Sequence, residues 1–134
     1  MKIFFILLFT ILSSNLVYSQ SLESAKVLYQ NGDYESAIRI FENQESEEAK
    51  LFLGKSYYAL GNYLKAILIL NDIRDNEAVD IYVDAEYTKA LSHFQLKDFS
   101  KSLELLYNLK ENSSISSSRA KSTTTYNQIL SYLS

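Results

Sequence analysis

Gly32-Asp33-Tyr34-Glu35-Ser36-Ala37-Ile38, Gly61-Asn62-Tyr63-Leu64-Lys65-Ala66-Ile67 and Lys97-Asp98-Phe99-Ser100-Lys101-Ser102-Leu103 are three versions of one seven-residue phrase. They begin 29 and 36 residues apart, which brackets the period of about 34 expected for a repeated helical hairpin. Each position has a physical job. Gly32 and Gly61 suit the left-handed conformation that ends a helix. Asp33, Asn62 and Asp98 carry short polar side chains able to cap the next helix. Tyr34, Tyr63 and Phe99 place an aromatic ring at the turn, where it can wedge between two helices. Ala37, Ala66 and Ser102 are small, so two helices can approach closely, and Phe41, Leu70 and Leu106 follow four residues later on the same face.

The segments before these phrases also align. Leu53-Gly54-x-x-Tyr57 precedes the second, and Ala25-x-x-Leu28 and Ala90-x-x-His93 occupy the equivalent places. On these residues the chain resembles the tetratricopeptide repeats, whose pattern is W-x2-L-G-x2-Y, then A-x3-F, then P. The second repeat carries L-G-x2-Y, then Ala66 with Leu70; Lys50 stands in the Trp place, and no repeat has the closing Pro. All three glycines of the chain, Gly32, Gly54 and Gly61, fall on pattern positions. The resemblance covers about residues 21–110. It implies an all-α fold, a short right-handed superhelix of three hairpins, and a role in protein–protein interaction.

Composition agrees with helices. The chain has 134 residues, no Pro, no Cys and one His. Such a scarcity of breakers argues against an all-β fold rich in turns. The absence of cysteine excludes disulfides, thiolate metal sites and cysteine nucleophiles. A net charge of −3 without a Lys/Arg cluster argues against nucleic acid. One histidine cannot build a multi-histidine metal site, so no metal or cofactor is expected.

The layout follows. Met1-Lys2, the apolar run Ile3–Leu12 and Val17-Tyr18-Ser19 form the three parts of a secretory signal peptide, residues 1–19, with cleavage after Ser19. The competing readings are an uncleaved anchor and a buried helix. The run is shorter than the roughly 20 apolar residues a membrane span needs. Export to the periplasm or the exterior is therefore expected. Paired helices are read at 22–31 and 34–44, 46–60 and 63–74, and 78–96 and 99–110. The repeats thus span about 21–44, 46–75 and 78–110. Residues 111–118 read as a Ser-rich linker, and 119–134 as a capping helix with an apolar stripe of Tyr126, Ile129, Leu130 and Leu133. The rival role for that helix is partner binding or self-association.

Few residues suggest chemistry. His93 sits at the core position that Tyr57 fills one repeat earlier and has no evident partner in sequence, so it reads as packing. Glu45, Glu47, Glu48, Asp72, Asp75 and Glu77, with the pair Asp80 and Asp84, lie near helix starts, where they favour the helix dipole. No calcium-loop, phosphate-loop or serine-elbow motif is present. Asn112-Ser113-Ser114 has the form of a glycosylation sequon.

The eleven tyrosines are more informative. Tyr34 and Tyr63 belong to the repeat pattern. Tyr29, Tyr58 and Phe94 follow the inward core position, which in tetratricopeptide arrays faces the concave groove. By the same alignment Lys26, Lys55 and Leu91 line it one turn earlier, with Leu22, Leu51 and Tyr87 beyond. The resemblance thus implies a groove of Lys26, Tyr29, Leu51, Lys55, Tyr58, Tyr87 and Phe94, in which lysines attract acidic groups. The other reading is that these rings pack between adjacent helices. The set Gly32, Tyr34, Ala37, Gly54, Gly61, Tyr63, Ala66, Phe99 and Ser102 is structural. The expected function is a non-enzymatic, exported adaptor that holds a peptide or partner segment in its groove. Self-assembly through the last helix is the alternative. A carboxylate-only enzyme would need two acids in one cleft, and the alignment places only Asp84 in the groove.

Overall fold

The computed structural model describes residues 21–74 and 79–134. The expected leader, and the acids Asp75 and Glu77, lie outside the described residues. Among the described residues there are seven helices and no strand. They are α1 (residues 21–30), α2 (Tyr34–Phe41), α3 (Glu47–Ala59), α4 (Tyr63–Leu70), α5 (Val79–Gln95), α6 (Phe99–Asn112) and α7 (Ser116–Leu133).

The three phrases build the same turn three times. Gly32, Gly61 and Lys97 have φ of +82°, +79° and +63°. At each, two backbone bonds close the preceding helix. The Gly32, Gly61 and Lys97 N–H groups donate to Tyr29, Tyr58 and Phe94 carbonyls, at 3.0, 2.9 and 2.9 Å. The next N–H groups, of Asp33, Asn62 and Asp98, donate to Leu28, Tyr57 and His93, each at 2.9 Å. This is the paired-bond helix stop that needs a left-handed residue. The same Asp33, Asn62 and Asp98 then cap the following helix, accepting from the backbone N–H of Ser36, Lys65 and Lys101.

Packing follows the pattern as well. Ala37, Ala66, Ser102, Phe41, Leu70 and Leu106 are all fully buried. At Gly54 α3 and α4 approach closely: a Cβ there would lie 2.5 Å from the Leu70 side chain. Ser102 donates its hydroxyl to the Ala90 carbonyl of α5 at 2.8 Å, so this small residue is satisfied as well as close. Among the described residues, α3, α5 and α7 contact one another in turn, while α2, α4 and α6 contact only odd-numbered helices. The odd-numbered helices are thus the continuous inner row.

Several boundaries differ from expectation. α2 and α4 stop at Phe41 and Leu70 rather than 44 and 74. There the chain tightens into short-range bonds, Gln44 N–H to Phe41 and Ile73 N–H to Leu70. The expected linker 111–118 is really 113–115: α6 runs to Asn112 and α7 starts at Ser116. Ser116, Ser117 and Ser118 are helical, with Arg119 N–H reaching the Ile115 carbonyl at 3.0 Å, while Ser113 turns the chain by accepting from Ile115 N–H. Serine is tolerated at helix starts, so composition misread this stretch. The apolar stripe of α7 also divides. Ile129 is buried, but Leu130 and Leu133 are exposed, and the fully buried Ser122 takes part of the inward face.

Candidate functional site

The inner row frames an open cavity of about 300 Å3. Four of the seven expected groove residues line it together: Tyr29, Lys55, Tyr58 and Tyr87. Tyr34, Asp84, Thr88, Leu91 and Lys121 complete most of the wall. Tyr34 therefore serves both the turn and the groove. Lys121 was not legible as a wall residue, because α7 reads from sequence as a polar-faced cap. Its signal lies in the burial register of α7, which sequence composition hides.

The rings are held, not loose. Tyr29 lies edge-on to Tyr34 at 5.4 Å and to Phe52 at 5.3 Å between centroids. The same pairing recurs one repeat on as Tyr58 with Tyr63, and again as Phe94 with Phe99, both at 5.5 Å. Tyr29, Tyr58 and Phe94 are thus each braced by the turn ring of their own repeat, a geometry worth about 0.5–1.5 kcal/mol per pair beyond area burial. Burial pushes the Tyr29 and Tyr58 hydroxyls above the usual tyrosine range.

Three expected residues, Lys26, Leu51 and Phe94, do not line the cavity. Leu51 is buried among Leu70, Ile73 and Ala85. It fills the core between repeats because α5 closes over it, so it is not a groove residue. Phe94 packs on Phe99 and on Tyr132 of α7, at the far end of the row. Leu22 is partly buried against the first core cluster.

The lysines also behave differently from expectation. Lys26 pairs with Glu23 and Glu48, each at 2.9 Å, and those carboxylates, Glu48 first, hold its ammonium above the ordinary range. Lys55 pairs with Asp84 at 2.7 Å. Both lysines are therefore neutralised by the chain itself rather than free for an acidic partner. Glu48 and Asp84 are correspondingly rungs between helices and not merely solvated caps. His93 also has a partner that sequence did not reveal: its Nδ1–H donates to Asp98 Oδ2 at 2.9 Å.

The cavity is a half-buried aromatic trough, with one internal ion pair on its wall. Such a surface has the shape and chemistry to take an apolar or aromatic side chain, on rings that lose little entropy in a contact. Among the described residues, Asp84 is the only acid on its wall, and it is already paired. Among the described residues, no helix is long and apolar enough to cross a membrane, and no group of three or more His, Asp or Glu is placed to hold a metal.

Comparison with known proteins agrees with this architecture. A family model described as "Anaphase-promoting complex, cyclosome, subunit 3" matches residues 6–73, half of the chain. The match begins inside the segment expected to be the leader. No curated protein matches the chain significantly. The matched model is of the tetratricopeptide type. Three repeated turns, the small-residue contacts between paired helices and this match lead to one assignment: the chain belongs to the anaphase-promoting complex, cyclosome, subunit 3 family of tetratricopeptide-type repeats.

Proposed function

We propose that the protein is an exported adaptor that holds a segment of a partner protein in the groove of its inner row. Tetratricopeptide-type repeats are protein–protein interaction modules and generally non-catalytic. The family description, a subunit of a multiprotein complex, is consistent with that class of role. The observation that carries the reading is the cavity walled by Tyr29, Tyr58 and Tyr87, contributed by three successive first helices. Tyrosine is enriched at binding hot spots because it offers a large apolar face and a polar tip.

Capture from an exported-fraction extract tests the groove. The wild-type chain is run beside Tyr58→Ala, with helicity and melting shown equal first. A partner held by the wild type and lost at least about tenfold by the variant is expected, as for a truncated aromatic anchor. Equal retention by both moves the site off the groove. Export is tested by mass spectrometry of the purified protein's first residue: Gln20 is expected, and an intact Met1 in the cell interior sinks this half of the proposal.

Self-assembly is the second reading. Leu130, Tyr132 and Leu133 of α7 are 43%, 71% and 44% exposed, a small apolar end that a second copy could cover. Light scattering separates the readings: a dimer abolished by Leu130→Ser with Leu133→Ser favours assembly, and a monomer at all concentrations favours the adaptor.

A further inference from the structure

We propose that the groove selects an extended, proline-rich segment bearing an acidic side chain, and that Lys121 of α7 reads the acid. This rests on the groove reading above and names its ligand class.

The argument begins with a ladder. Lys26 pairs with Glu48 and Lys55 with Asp84. The two lysines hold equivalent places in α1 and α3, and the two acids equivalent places in α3 and α5. Each rung therefore ties one first helix to the next. α7 continues the register. Ala49, Ala85 and Ser122 share one fully buried position, and Ser56, Ser92 and Ile129 share a second buried one. On that register Leu91 stands where the next lysine belongs, and Lys121 where the next acid belongs. The third rung is therefore absent, and its acid place is filled by a cation.

Lys121 is exposed and has no carboxylate partner among the described residues. Its Nζ lies 3.9 Å from the centroid of the Tyr87 ring. Of the charges on the cavity wall, Lys55 and Asp84 cancel, and Lys121 is left over. A ring-backed cation in a half-enclosed trough complements a single carboxylate.

Lys121 also stands at a junction. Asp84, Tyr87 and Lys121 line both the tyrosine cavity and a second one of about 270 Å3. Val83, Ile115, Ser117 and Ser118 add to the second, as does Asp80. Cavity space thus lies on both sides of Lys121, and a segment that uses both presents the anion from a residue within it and not from a chain terminus. On the other side stand the rings of Tyr29, Tyr34 and Tyr58. The walls are helices, whose backbone groups are already bonded and offer no sheet edge. A polyproline II segment needs none, since its backbone is solvated and its shape preformed, and aromatic-lined grooves are what such segments dock into.

The test uses the full chain and three synthetic probes at low salt. They are acetyl-Pro-Pro-Glu-Pro-Pro-amide, its Gln counterpart, and acetyl-Pro-Pro-Gln with a free terminal carboxylate. Titration calorimetry gives affinity, and NMR of the tyrosine rings gives location. The Glu probe should bind about fivefold tighter than the Gln probe, the upper range for an exposed ion pair. That preference should vanish in Lys121→Gln, persist in Lys121→Arg and fall as salt rises. Equal binding of Glu and Gln probes, or a preference surviving Lys121→Gln, overturns the role of Lys121 and leaves the groove standing. Tightest binding by the free-carboxylate probe overturns an internal acid in favour of a chain end. If no probe moves the Tyr29, Tyr58 or Tyr87 rings, the proline-rich ligand is wrong, and the capture experiment with Tyr58→Ala then decides the groove on its own.

Discussion

The left-handed turn residue shows most directly how one side chain sets stability here. Gly32, Gly61 and Lys97 do the same work, but only lysine carries a Cβ there. For an L-residue that conformation costs roughly 1–2 kcal/mol. Glycine avoids it but loses about 0.5–1 kcal/mol more entropy on folding. Lys97→Gly should therefore raise stability by about 0.5–1 kcal/mol. Gly32→Ala isolates the reverse effect, because an added Cβ meets nothing within 4 Å. It should lower stability by about 1 kcal/mol through conformation alone. Urea midpoints at constant slope measure both. A Lys97→Gly variant less stable than wild type would show that the lysine side chain supplies more than the strain removes.

Helices are joined here by residues that serve two elements at once. Asp98 caps α6 through one carboxylate oxygen and receives the His93 Nδ1–H of α5 on the other. Asp33 makes the cap bond alone. Asp33→Ala should cost about 1 kcal/mol, the usual worth of a cap, and Asp98→Ala about 0.5–1 kcal/mol more. A double-mutant cycle with His93→Ala checks this, since the extra cost should disappear when the histidine is already gone. Equal costs for the two aspartates in the wild-type background would mean that the histidine bond contributes nothing net.

At the scale of the whole molecule, the perturbed groups point one way in pH. Lys26 is raised from 10.5 by its bridges to Glu48 and Glu23, and Tyr29 and Tyr58 are raised from 10.0 by burial. A group whose folded value lies above its unfolded value stabilises the fold while protonated. That contribution is complete below the unfolded value and disappears as pH climbs through the folded one. Denaturant midpoints should thus be insensitive to these groups at neutral pH and fall above about pH 10. The rise in tyrosinate absorbance should include a late fraction removed by Tyr29→Phe with Tyr58→Phe. A midpoint that climbs through that window would contradict the bridges and the burial alike.

The turns were legible in the sequence because their causes are local. A left-handed residue, a capping oxygen and a helix stop all act within about five residues, so Gly32-Asp33, Gly61-Asn62 and Lys97-Asp98 announce themselves. The period of these phrases then implies hairpins, and hairpins with small residues at their contacts stack. Gly54 needed the third dimension to be explained, since its reason is the Leu70 side chain sixteen residues away. The same holds for the site. Sequence placed Tyr29, Tyr58 and Tyr87 on the inner row, because one helix face repeats along the chain. It could not show that Lys55 is spent on Asp84, that Leu51 closes the core, or that the start of α7 delivers Lys121 to the groove. Those outcomes depend on how far each first helix slides and rotates against its neighbour. That offset is set by the summed packing of many side chains, whereas each local signal reports only on its own turn.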